Sequence, residues 1–141
     1  MSIFQKENHA WGVKREIECL PVIKEILGDD VMHDTGIYND FDFHTKEYNI
    51  ELKTRTHNSD CFLTTFTTPI KRDKANKSKK KVLWLFSFTD GIFYLDFQEH
   101  KETINSLKTE VYNTRYGERH NINIPCNILK SFKGFKPLIS I

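Results

Sequence analysis

The stretch DFDFHTKEYNIELKTR, residues 40–55, decides how this chain is read. It overlaps two runs, 38–44 and 48–56, that alternate with period two and are rich in aromatic or β-branched residues, so both read as strands. Alternation places Glu51, Lys53 and Arg55 on one face of the second run, with Ile50, Leu52 and Thr54 on the other. In the first run Asp40 and Asp42 share a face, opposite Phe41 and Phe43. Register decides whether the two polar faces coincide. An even loop sets Asp42 against Glu51 and Asp40 against Lys53, whereas an odd loop without a bulge sets Asp42 against Leu52 and separates the acids. Lys46-Glu47 is poor chemistry for a two-residue turn, so the expectation is a four-residue loop, Thr45–Tyr48, with even register.

Working outward, residues 11–27 read as a helix. Val13, Ile17, Leu20, Ile23 and Leu27 group on one side, Pro21 implies a kink or break, and Gly28 is the stop. Glu16 falls inside the apolar arc and Glu18 opposite it; an acid facing a core requires a partner. Residues 31–34 fit a short strand. After 62–68, Thr68-Pro69 looks like an N-cap and first-turn proline opening a short basic helix or loop. The apolar run 82–88 fits a strand buried on both faces. Asp90-Gly91 reads as a two-residue turn to a return strand at 92–97. Residues 99–112 are expected to be helical, 113–123 a loop, and 125 onward a short terminal helix. The order is that of a single α/β domain, 1–141, with a mixed central sheet flanked by helices. Its core lies at about 11–97, and a helical or loop extension occupies about 98–141.

Composition narrows the function classes. The 141 residues are 38% hydrophobic and 28% charged with only 6 Gly and 4 Pro, which excludes collagen-like, low-complexity and disordered chains. No apolar run is long enough for a membrane span, and the N-terminus lacks a signal-peptide pattern, so the expectation is a non-secreted intracellular protein. Cys19, Cys61 and Cys126 are odd in number and widely spaced, which fits a reducing setting and no zinc motif. The net charge of +2 conceals a division. Residues 1–70 carry 7 basic against 12 acidic side chains, whereas 71–81 carry 7 basic against Asp73 alone.

Two neighbouring carboxylates form a hard, oxygen-rich site suited to Mg²⁺ or Mn²⁺, which can polarise a phosphate oxygen and acidify a bound water. A lysine one pleat away could orient that water or neutralise charge on the phosphorus centre. Asp42 and Glu51, with Asp40 as an alternative ligand, therefore supply the acids, Lys53 the ammonium and Glu16 a further acid. Asp42-x8-Glu51-Leu52-Lys53 behind a helix bearing Glu16 resembles the PD-(D/E)xK nuclease superfamily, the restriction-endonuclease-like fold. The phrase FDFHTKEYNIELKTRT is similar to its small phage, viral and resolvase-like members. The resemblance covers about residues 11–97 and lacks the literal Pro-Asp common in the superfamily. It implies an αβββαβ core. It also implies Mg²⁺ held by Asp42 and Glu51, with the Leu52 backbone carbonyl, water activation assisted by Lys53, and a helix glutamate at Glu16. A second resemblance, of Gly36-Ile37-Tyr38 and Tyr48-Asn49-Ile50 to the GIY-YIG nucleases, lacks the final glycine and leaves Asp40 and Asp42 unexplained.

Lys71, Arg72, Lys74, Lys77, Lys79, Lys80 and Lys81, with Arg55 on the acidic face, are the expected phosphate contacts. An acidic metal site repels DNA, so a cleft of this kind needs cations beside it. The function implied is a Mg²⁺-dependent endonuclease hydrolysing DNA phosphodiesters, structure-selective in the manner of resolvases. A symmetric homodimer is its simplest route to cutting both strands. The rivals are a non-catalytic nucleic-acid-binding domain with a relic acidic site, and an interaction protein with no nucleic-acid role.

Overall fold

A computed structural model describes residues 3–36 and 39–138, apart from the side chains of Phe4 and Gln5. Ile37 and Tyr38 lie outside the described residues, as do the ends of the chain, so the start of the 38–44 run and the Gly36-Ile37-Tyr38 motif are not described further. The described residues form a single α/β domain with three α-helices and a mixed six-stranded sheet, beside which lies a three-stranded sheet. No helix among them is long and apolar enough to cross a membrane.

Helix α1 (Ile3–Leu27) starts earlier than its apolar periodicity suggests and runs continuously through Pro21. Gly28, at φ +112°, ends it by donating its N–H to the Lys24 carbonyl (2.8 Å), a conformation glycine adopts without strain. Ile23 is fully buried, but Ile17, expected on the same stripe, is 55% exposed. Strands β1 (Met32–His33), β2 (Phe43–His44) and β3 (Tyr48–Thr54) form an antiparallel meander. The register is the even one: Phe43 faces Ile50 and His44 faces Asn49. The turn is closed by Thr45, whose N–H donates to the Tyr48 carbonyl and whose hydroxyl accepts from the N–H groups of Glu47 and Tyr48.

The first run is a strand only at Phe43–His44. Ahead of Phe43 the period-two rule lapses: Phe43 and the partly buried Phe41 join different hydrophobic clusters, and Asp40 and Asp42 part company. β4 (Thr64–Thr67) leaves for the smaller sheet. Helix α2 (Pro69–Lys77) then returns the chain to β5 (Lys81–Phe88), which is parallel to β3 with Glu51 beside Trp84 and Lys53 beside Phe86. Thr68 takes the N-cap position, but its hydroxyl makes no capping bond.

β5 is buried on both faces. Val82, Trp84, Phe86 and Phe88 join one apolar cluster with Ala75 of α2, whereas Leu83 and Leu85 join the other with Ile23, Ile50 and Phe132. β6 (Gly91–Asp96) returns antiparallel with Phe88 opposite Gly91, so the turn residues are Thr89-Asp90, one position earlier than expected. Gly91, at φ +144°, takes the backbone angle a side chain resists.

The last third departs most from its reading. Helix α3 is only Lys101–Ser106, and 110–125 is a hairpin of β7 (Glu110–Thr114) and β8 (Gly117–Pro125) rather than helix end and loop. β8 pairs with β4 and buries Ile122 and Ile124. The expected terminal helix is two 3₁₀ turns, Cys126–Ile128 and Phe132–Gly134, around β9 (Lys130–Ser131), which pairs with β6. Phe132 lies 1% exposed in the core, so this segment is part of the packed body.

Candidate functional site

The face of β3 that carries Glu51 and Lys53 opens into a cleft of about 430 Å³. Glu16 and Trp11 of α1, Asp42, Arg55 and Lys71 also line it. Each acid arrives by a different device. Asp42 sits just before β2, where its N–H donates to the Ile50 carbonyl (3.0 Å) and its Oδ2 accepts the Leu52 N–H (2.8 Å). The side chain thus takes the place of the strand that β2 is too short to supply. In a strand the C=O of a residue faces the same neighbour as its N–H, so the Leu52 carbonyl points to the Asp42 edge as well. Glu51 projects from the centre of the sheet and is 3% exposed. Glu16 comes from α1 and finds the partner its position demanded in His33 of β1, whose Nε2 lies 2.9 Å from its Oε1. The helix passing unbroken through Pro21 is what allows Glu16 and Ile23 to serve cleft and core from one element.

The cleft concentrates charge. Glu51 Oε1 lies 2.8 Å from Lys71 Nζ and 3.5 Å from Lys53 Nζ, whereas its Oε2 is buried without any hydrogen-bond partner. Burial, reinforced by the Glu51 and Glu16 charges, pushes the Asp42 carboxyl up to about 7 against the pull of the Leu52 N–H. Burial also raises Glu16, although His33 opposes it. Lys71 is held above the usual lysine value because attraction to Glu51, Asp42 and Glu16 outweighs the burial that would lower it. Burial and mutual repulsion raise two of the three acids, Asp42 and Glu16, an arrangement that a further cation would relieve.

The structure thus brings Glu16, Asp42, Glu51 and Lys53 together. Asp40 stands apart with its side chain 73% exposed, 3.7 Å from Lys74, outside the cleft lining. Among the described residues no three His, Cys, Asp or Glu side chains are arranged as a ready metal cage. The donors are nevertheless of the hard oxygen type that Mg²⁺ prefers, and the orphaned Oε2 is an acceptor awaiting a cation or a proton.

The basic block divides into groups that the sequence did not separate. Lys71 turns into the cleft. Arg72 points away to the end of α3, donating to the Ile104 and Leu107 carbonyls (3.2 and 2.7 Å). Lys74, Lys77, Lys79 and Lys80 line a groove of about 840 Å³ that meets the cleft at Asp34 and Asn39. Lys80 is partly committed there, donating to the Thr45 carbonyl at 2.7 Å. Lys81 begins β5, exposed and outside that groove. Arg55, expected as a phosphate contact, instead ties the two sheets together: it donates to the Thr65 hydroxyl and the Phe66 carbonyl and stacks 4.3 Å over the Phe66 ring.

Sequence reasoning missed His33 as the partner of Glu16 and Lys71 as the partner of Glu51. For Lys71 a signal existed. It follows Thr68-Pro69 by two residues, in the first turn of a helix, where a cation opposes the helix dipole and needs compensation from elsewhere. Compared with known proteins, the chain matches no family model, no curated protein and no solved structure.

Proposed function

We propose that this protein is a metal-dependent nuclease that hydrolyses DNA phosphodiester bonds, built on the restriction-endonuclease-like core of the PD-(D/E)xK superfamily. The observation that carries the reading is Glu51: a carboxylate 3% exposed, on a central strand, with one oxygen unpartnered and a second acid and a lysine beside it. Supporting it, the order α1–β1–β2–β3–β4–α2–β5, with β4 diverted to the smaller sheet, leaves a helix, three strands, helix and strand in and around the six-stranded sheet, as in that core. The lysine-lined groove running into the cleft supplies the cations that a polyanion needs to approach an acidic site.

In this reading Asp42, Glu51 and the Leu52 carbonyl would hold Mg²⁺ or Mn²⁺. The ion would polarise a phosphate oxygen and lower the pKa of an attacking water. Lys53, with its side chain 28% exposed, orients that water and meets negative charge developing on the phosphate. His33 fixes the Glu16 carboxylate from behind, so that Glu16 keeps one position at the cleft wall. The Asp42–Leu52 bond fixes the angle between the two principal acids.

The test is a cleavage assay over a panel of duplex, nicked, flapped and four-way-junction DNAs with Mg²⁺, Mn²⁺ or EDTA. Glu51→Ala and Lys53→Ala should each lower cleavage by about a hundredfold or more while binding at moderate salt persists. Binding without any metal-dependent cleavage by the wild type would favour the non-catalytic domain instead. Cleavage that survived both substitutions would remove the site assignment.

A further inference from the structure

Lys71 is the group in the cleft that a metal site does not require. Its Nζ lies 2.8 Å from Glu51 Oε1, the shortest ion pair in the cleft, and its side chain is only 21% exposed. It sits in the first turn of α2, a turn with no acidic residue, so the helix dipole works against it and Glu51 is what holds it there. The same contact leaves Glu51 Oε2 unsatisfied, a costly state for a buried carboxylate. Lys71 at 2.8 Å and Lys53 at 3.5 Å both meet Oε1, so together they are an incomplete counter-ion for this acid.

We propose that Lys71 is a resident counter-ion that a divalent cation displaces from Glu51, releasing its ammonium to the phosphate of the bound nucleic acid. This rests on the metal-dependent reading given above. In the metal-free protein Lys71 offsets the repulsion among Glu51, Asp42 and Glu16 and keeps the cleft folded around them. A divalent ion engages both Glu51 oxygens' charge more strongly than an ammonium does, and the flexible lysine stem lets the displaced group swing toward open cleft. A lysine used this way has opposite effects on two measurable steps. It competes with metal binding, and it assists the reaction once metal is bound.

The experiment compares the wild type with Lys71→Gln and Lys71→Arg, using Mn²⁺ alone as the probe and reading free Mn²⁺ by electron paramagnetic resonance. Gln keeps a hydrogen-bond donor for Glu51 but removes the charge; Arg keeps the charge. Circular dichroism and melting curves verify that each variant is folded. Lys71→Gln should bind Mn²⁺ about tenfold more tightly than the wild type, because it removes a like charge beside the ion, and Lys71→Arg no more tightly than the wild type. In cleavage at saturating Mn²⁺, Lys71→Gln should nonetheless be slower than the wild type. Equal or weaker Mn²⁺ binding by a folded Lys71→Gln protein, with the wild type still binding, overturns the displacement and leaves the nuclease reading intact. Absence of Mn²⁺ binding in all three proteins at millimolar concentration overturns both. Should Lys71→Gln not fold, the wild type decides the matter by ¹⁵N chemical shift of the Lys71 ammonium. Displacement predicts a change on Mn²⁺-free titration with diamagnetic Mg²⁺, and an unmoved signal while Mg²⁺ binds overturns it.

Discussion

Lys71, in the first turn of α2, and the lysines around the far end of that helix carry the same charge in opposite surroundings. Lys71 is mostly buried and locked to a carboxylate at 2.8 Å. Lys77 and Lys79 are exposed along an open groove, and Lys74 reaches only the exposed Asp40, at 3.7 Å. A charge in a low-dielectric cleft interacts strongly and specifically with a few neighbours; one in water interacts weakly and is screened within about 10 Å at 0.1 M salt. The helix thus joins an element that organises a site to one that only sets a field. Removing the first kind should damage folding and chemistry, whereas removing the second should change affinity in small, equal, salt-dependent steps.

The sharpest way to break that contrast is Lys71→Ala. It leaves Glu51 buried beside Asp42 with Lys53 at 3.5 Å as its remaining cation. Uncovering one member of a buried pair costs about 3 kcal/mol, so the melting temperature should fall by roughly 10 °C for a chain of this size. Lys77→Ala should leave it within a degree or two. Comparable small shifts for both in thermal denaturation would show that Lys71 is no more embedded than its neighbours.

Asp42 gives a second, smaller test, in which pH replaces mutation. Its folded carboxyl is raised to about 7, above the roughly 3.9 of an unfolded aspartate. Between pH 4 and 7 the folded protein holds a proton that the unfolded chain has lost, so stability from this group is greatest at low pH and declines as pH rises toward 7. Asp42→Asn keeps an oxygen for the Leu52 N–H and abolishes the titration. The melting temperature of Asp42→Asn should therefore exceed that of the wild type at pH 5, and by a margin wider by about 5 °C or more at pH 8, measured without divalent metal. A constant difference across that range would mean that Asp42 ionises freely in the cleft.

The same contrast between buried and exposed explains what the sequence made legible. The acidic pair was readable because the loop at Thr45–Tyr48 favours the even register, which sets Phe43 opposite Ile50; Asp42, outside the strand, is then held beside Glu51 by its bonds to Ile50 and Leu52. Glu16 was readable because a carboxylate on an apolar arc is costly wherever the chain takes it, and His33 is how that cost is met. What failed was local. Asp40 and Asp42 were placed on one face by a period that holds only while the backbone is a strand, and it ceases to be one ahead of Phe43. The hairpin β7–β8 was hidden because Lys101–Ser106 begins a helical pattern, all five β7 residues are exposed, and its apolar anchors, Ile122 and Ile124, join a core cluster built from distant elements. A charge count carries no direction, so it did not show that the Arg55 and Arg72 guanidinium groups donate to the Thr65 hydroxyl and to backbone carbonyls, Arg55 at the cleft wall and Arg72 at the end of α3.

The smallest effect belongs to the outer lysines and is best read as a slope. Each lysine that meets a phosphate releases about one condensed counter-ion, so log affinity for DNA should fall linearly with log salt. Lys74, Lys77 and Lys79 share one groove without a buried partner, so each alanine should weaken binding modestly at low salt and reduce the salt slope by about one. Lys80, tied to the Thr45 carbonyl, should contribute less than these. Arg72, bonded to the end of α3, should leave the slope unchanged while lowering stability. The ordering matters more than any single value. If Arg72→Ala reduced the slope as much as Lys77→Ala, the guanidinium would have to leave α3 on binding, and the division of this block into structural and solvent-facing cations would fail at that residue. If the groove lysines changed nothing, nucleic acid would have to enter the cleft by another path, and the charge separation along the chain would serve solubility alone.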